Sequence, residues 1–120
     1  MVHGLGVGAF TLDAATPIHA PYSCRGPGRE CGKLKPDLTA FGGCENMPIH
    51  LASTVSGKKT LLWGTSFAAP IMARLNAQAI DSFERSTALL GRTLLVHAAE
   101  IPGSKADAKK SDFFRTWMPA

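Results

Sequence analysis

Between Phe67 and Ile80 the chain carries one charged residue, Arg74. A helix that is apolar on every side has no face to give to water, so it is expected to lie buried between other layers. Thr65 or Ser66 can cap it, and Pro70 falls near its first turn, where backbone N–H groups lack intrahelical partners and proline does least harm. Whatever the chain folds into is built around that helix. Its 120 residues, 45% of them hydrophobic, are material for one core, either a small domain or a piece of a larger one.

The segments around the helix are short. Val2 to Thr11 alternates small and apolar residues and stops at Asp13, which predicts a buried strand followed by a turn over Ala14–Pro17. The run Pro21 to Leu34 is crowded with Gly, Pro and charge and reads as a loop. Asp37 to Phe41, closed by Gly42–Gly43, predicts a second strand and a tight turn. Met47 to Val55 and Thr60 to Trp63 are further strand-like pieces separated by a turn at 56–59. After the apolar helix a second helix is expected from Phe83 to Ala99, with Thr87, Leu90, Leu94 and His97 or Ala98 on one face. Gly91 inside it costs roughly 1 kcal/mol relative to alanine. From Gly103 to Ser111 the composition turns polar, as in a loop. Strands, a buried helix and an amphipathic helix give an α/β layer arrangement of which only one end is visible.

The segment Trp63-Gly64-Thr65-Ser66-Phe67-Ala68-Ala69-Pro70 sets a serine where a strand-like run gives way to a helix start. An attacking serine develops negative charge on the substrate carbonyl oxygen, and helix N-terminal N–H groups favour an anion there. Gly64 lets a substrate backbone approach closely, and Ala68 and Ala69 let the helix press against neighbouring layers. The plain alternative for Ser66 is a helix-capping serine. Gly-Thr-Ser-Phe-Ala is not the Gly-x-Ser-x-Gly elbow of α/β-hydrolases, because Ala68 replaces the second glycine. The Gly4-Leu5-Gly6-Val7-Gly8 run has the wrong spacing for a dinucleotide loop and suits strand packing.

Gly-Thr-Ser-Phe-Ala-Ala-Pro resembles the nucleophile motif of the subtilisin-like serine peptidases, Gly-Thr-Ser-x-Ala-x-Pro. Other blocks agree in order and spacing. Val7-Gly8-Ala9 resembles the strand that follows the oxyanion region in that family. Tyr22-Ser23-Cys24-Arg25-Gly26-Pro27 and Lys35-Pro36-Asp37-Leu38-Thr39-Ala40 resemble its S-x-R-G-P and K-P-D-x-x-A-P-G stretch, with Phe41-Gly42 where the family usually has Pro-Gly. Leu94 to Ala99 resembles the helix that closes the catalytic domain. The likeness covers roughly residues 5–100, with 101–120 as a polar tail, so that 1–120 reads as the C-terminal portion of such a domain.

The resemblance implies a partial doubly wound, mostly parallel α/β fold: C-terminal strands, a buried nucleophile helix and a second closing helix. It implies serine endopeptidase chemistry on a polypeptide substrate, with Ser66 as nucleophile, the Ser66 N–H as one oxyanion donor, and Gly64 and Thr65 lining the substrate. Phe67 stands where many members carry a methionine that is open to sulfoxidation. The family's Asp, His and oxyanion Asn match no position here, so a missing N-terminal half is expected as partner and the chain alone is expected to be inactive, since a serine without a base is a weak nucleophile. Isolated, it is expected to self-associate through an uncovered apolar face. The chemistry takes no cofactor; calcium sites occur in the family, and nothing in this sequence marks one. The alternative is a non-catalytic remnant serving as a binding or scaffold module.

The remaining features point away from other classes. The net charge of +4 is spread evenly, six Lys/Arg against four Asp/Glu in residues 1–60 and seven against five in 61–120, unlike a nucleic-acid arm. No apolar stretch approaches the ~18 residues of a membrane span, and Met1 to Phe10 lacks the basic start and cleavage pattern of a signal peptide. Cys24, Cys31 and Cys44 match no zinc spacing; as free thiols they favour a reducing compartment such as the cytoplasm. His3, His19, His50 and His97 read as ordinary surface or core histidines.

Overall fold

The structure, a computed structural model, describes residues 4–27, 34–85 and 87–99. Its first strand, β1 (Val7–Asp13), turns back through Ala14 and Ala15 into β2 (Thr16–His19). The two alanines have φ of 45° and 70°, as a two-residue hairpin turn of this hand requires, although Gly and Asn usually supply it. The expected turn is thus present at Ala14–Ala15, and its last two residues, Thr16 and Pro17, belong to β2 instead. Pro17 fits because β2 lies at a sheet edge, where a missing N–H is tolerated.

Two short strands, β3 (Gly26–Pro27) and β4 (Leu34–Lys35), pair antiparallel within the stretch expected as loop. The expected strand after Pro36 is present as β5 (Leu38–Phe41) and lies parallel to β1, with Val7 opposite Leu38 and Ala9 opposite Ala40. The order β2-β1-β5 makes a three-stranded mixed sheet. A separate antiparallel hairpin, β6 (Ile49–Ala52) with β7 (Lys59–Leu62), follows. Its bend is held by Ser53, whose Oγ accepts from the Val55 and Ser56 N–H groups at 3.3 and 3.2 Å. Among the described residues β1–β5 is the one parallel pair.

Alternation along the paired strands sends Val7, Ala9, Leu38 and Ala40 to one face, and helix α1 (Thr65–Asp81) lies on it through Ala68 and Met72, both fully buried, with Leu75 beside them. These three positions follow the helical spacing of four and three. On the opposite face Phe10 and Phe41 meet edge to face, 5.9 Å between ring centres.

The expectation of a fully buried helix does not hold. Ala69, Pro70, Ile71 and Ala73 are exposed, Ile71 by 39%, because a three-stranded sheet and one neighbouring helix cover a single flank of α1. Pro70 is the sixth helical residue rather than part of the first turn, so it has no N–H to give the Ser66 carbonyl four residues back.

Helix α2 (Ala88–Ala98) starts later than its hydrophobic pattern suggests. Thr87 is its cap, not a member of its face: the Thr87 hydroxyl accepts from the Leu90 N–H at 3.1 Å. Leu95 is buried in the shared core. Gly91 has a packing reason, since a Cβ there would run into the Asn76 amide and come within 2.5 Å of Ile80 on α1. The close crossing of the helices depends on that missing side chain.

Candidate active site

The Gly-Thr-Ser segment hangs from the end of β5. The Gly64 N–H donates to the Gly42 carbonyl at 2.8 Å. Gly42 has no room for a side chain, because a Cβ would come within 2.5 Å of the Tyr22 hydroxyl and 2.7 Å of Ala9. Gly43 turns the chain with φ of 78°, and the Tyr22 hydroxyl donates to its carbonyl at 2.6 Å. Burial, and after it the nearby Cys44, pushes the Tyr22 phenol above its ordinary value of 10.0, so it remains a donor throughout the neutral range. Two consecutive glycines and one tyrosine therefore seat the segment that carries the serine. The glycine pair was legible as a turn; the part played by Tyr22 was not, because the side chain that reaches the turn comes from 21 residues upstream.

Gly64 sits just outside α1 with φ 154° and ψ 164°, a region essentially restricted to glycine. It, rather than Thr65 or Ser66, is the N-cap, and no side chain caps the helix. The expected capping role of Thr65 or Ser66 is thereby corrected: both are already helical, as its first two residues. Ser66 is exposed, Thr65 and Gly64 are partly exposed, and among the described residues the Ser66 hydroxyl has no hydrogen-bond partner.

The Phe67 N–H folds back on the Gly64 carbonyl at 3.1 Å, which leaves the Ser66 N–H among the first-turn donors without an intrahelical acceptor. The first turn carries no acidic side chain, so its partial positive charge is not neutralised locally. A hydroxyl without a partner among the described residues and an N–H without an intrahelical acceptor thus share the positive end of a helix, an arrangement suited to an anion that forms beside an attacking oxygen. Leu61, Leu62 and Trp63, each more than 40% exposed, lead up to it as an apolar surface.

The histidines are not gathered here. His97 stands with Ser82 and Phe83 beyond the far end of α1, a helix of 17 residues and hence about 25 Å long. His50 is on the β6–β7 hairpin, 3.5 Å from the Lys59 ammonium. His19 is on β2, its imidazole held below its ordinary 6.5 first by burial and then by the Arg25 charge. His3 and Cys31 lie outside the described residues.

Cys44, which follows the Gly42–Gly43 turn, has its thiol held below the ordinary 9.0, first by the Thr11 side chain and then by backbone N–H groups of Met47 and Asn46. Cys24 and Cys44 are free thiols. Among the described residues no three His, Cys, Asp or Glu side chains come together as a metal site, and no helix is long and apolar enough to cross a membrane.

A second cluster steadies the sheet beneath the site. Asp37, just before β5, accepts from the Gly6 N–H at 2.6 Å, is paired with Lys35, and lies 3.5 Å from Arg92 of α2. Partial burial acts to raise its carboxyl; hydrogen bonds from Lys35 and the Gly6 N–H and the charges of Lys35 and Arg92 outweigh it, and the group is held below its ordinary 3.8.

No curated protein matches this chain, and no solved structure does. The subtilase family, by contrast, is matched over residues 4–115, a span that takes in the β1–β5 pair, the Gly42–Gly43 seat, the Gly64-Thr65-Ser66 segment and both helices. The chain belongs to the subtilase family of serine peptidases.

Proposed function

We propose that the chain is the nucleophile-bearing, C-terminal part of a subtilisin-like endopeptidase domain, with Ser66 as the attacking residue. The supporting observation is that Ser66 is exposed, unpartnered among the described residues and set at a helix N-terminus whose cap is a glycine. In this reading a base removes the Ser66 hydroxyl proton as Oγ bonds to the carbonyl carbon of a peptide. The oxygen that becomes negative is met by the Ser66 N–H, Gly64 and Thr65 line the substrate backbone, and collapse breaks the C–N bond as the amine takes up the proton. Water then cleaves the Ser66 ester. No cofactor takes part.

The base, its orienting carboxylate and a side-chain oxyanion donor come from residues other than those assigned here, on strands that complete a doubly wound sheet. An active-site-directed fluorophosphonate tests this. The assembled domain should be labelled at Ser66 and the S66A variant should not, whereas the 120-residue chain alone should react at least a thousandfold more slowly, as expected for a serine without its base. An assembled domain that digests polypeptide yet carries no label on Ser66 overturns the assignment.

The absence of an imidazole bonded to Ser66 among the described residues favours a second reading, a non-catalytic binding module. It predicts that the assembled protein binds polypeptide with no hydrolysis and no label.

A further inference from the structure

Away from Ser66, toward the other end of α1, residues of both helices line an open groove of about 560 Å³. Leu75, Ala79 and Phe83 line one side, and Leu94, Leu95 and Ala98 of α2 line the other. Phe83 is 47% exposed. The volume falls in the range of clefts that enclose a small organic molecule, room enough for more than one large side chain. Apolar surface of this kind left to water forgoes about 25 cal/mol per Å².

We propose that the groove is filled by the carboxyl-terminal apolar residues of the same chain, Phe113, Phe114, Trp117 and Met118. These lie outside the described residues, and three observations connect them to the groove. First, α2 ends at Ala98, itself on the groove wall, so the chain leaves the helix at the rim of the site it would fill. Second, 113 and 117, 114 and 117, and 114 and 118 are separated by three or four positions, the spacing that gathers side chains on one face; the residues between are Arg115 and Thr116. Third, the family match continues past α2 to residue 115, so the segment through Phe113 and Phe114 belongs to the matched domain.

The linker also suits the task. Fourteen residues, 99–112, polar and lysine-bearing in large part, separate α2 from Phe113, and the covalent reach of that many residues is at most about 50 Å. That is ample for a return to a groove that begins where the linker does. A tether this short holds the segment at an effective concentration near the millimolar range, so modest contacts suffice and a second copy competes poorly. The inference is independent of the part played by Ser66.

The test uses the full chain. Of its two tryptophans, Trp63 is replaced in a W63F variant so that Trp117 is the sole indole. We expect its emission to be blue-shifted and its acrylamide quenching several-fold weaker than in a synthetic peptide of residues 110–120, with both values unchanged on dilution. Placing a charge on the wall in A98R, at an exposed position, should return both values toward those of the peptide while the far-ultraviolet circular dichroism holds. Q78R, also exposed and on the wall, serves if A98R fails to fold. A Trp117 as open to quencher as in the peptide, or shielding that neither wall variant disturbs, overturns the proposal. Shielding that is lost on dilution overturns it too, and assigns the groove to a second copy.

Discussion

Gly64 meets two demands at once, a backbone angle that side chains rarely adopt and a hydrogen bond that ties the serine-bearing segment to Gly42. Nothing crowds its side-chain position closer than 3.9 Å, so Gly64→Ala isolates the backbone effect. It should cost about 1–3 kcal/mol in urea unfolding, and it should depress Ser66 labelling in the assembled domain. Gly91→Ala fails for the opposite reason, crowding against Asn76 and Ile80, and should lose about 1–3 kcal/mol by the same measurement. The sequence marked Gly64 by its motif and Gly91 as a propensity defect. Neither the angle at the first nor the helix pressed against the second is visible in a string of letters, because both are set by segments distant along the chain.

Asp37 makes a prediction in pH. Its carboxyl is depressed in the folded state, so its stabilisation is complete above the unfolded value of about 3.9 and disappears as pH falls through the lower folded value. Asp37→Asn should therefore cost about 1.5–3 kcal/mol at neutral pH, where a charged acceptor is lost, and flatten the acid limb of a plot of urea midpoint against pH. An acid limb unchanged in the variant would assign that limb to other carboxylates.

At the scale of elements, local signals read well where they matched the packing and badly where turn geometry intervened. β5 and the β6–β7 hairpin were legible from apolar runs bounded by Gly, Ser and Lys, and α1 from its long uncharged stretch. The bend after β1 was legible, but the strand it leads into, β2, was hidden because Pro17 reads as part of the turn. The start of α2 was misplaced because Thr87 fits a helical face by spacing, yet its hydroxyl is used at the cap. Thr87→Ala should accordingly destabilise the chain by about 0.5–2 kcal/mol, with the loss of circular dichroism on warming shifted to lower temperature. Replacing Ala14–Ala15 by Asn-Gly should act in the opposite direction, since those residues adopt the required angles with little strain.

For the molecule as a whole, the motif placed Ser66 where a helix starts, and it stands there as the second residue of α1, exposed. Complete burial of α1 was predicted from its composition, and it fails because burial is a property of what surrounds a helix. The sheet beneath is only three strands wide, and Ile71 with its alanine neighbours is left facing water. The isolated chain should consequently sediment as species that grow with concentration, whereas a single monomeric boundary at high concentration would argue that the flank is shielded. That bare flank also ties heat resistance to mass action: whatever covers it binds the folded form and not the unfolded one, so the melting temperature should climb as more protein, or more of the covering partner, is placed in the cuvette.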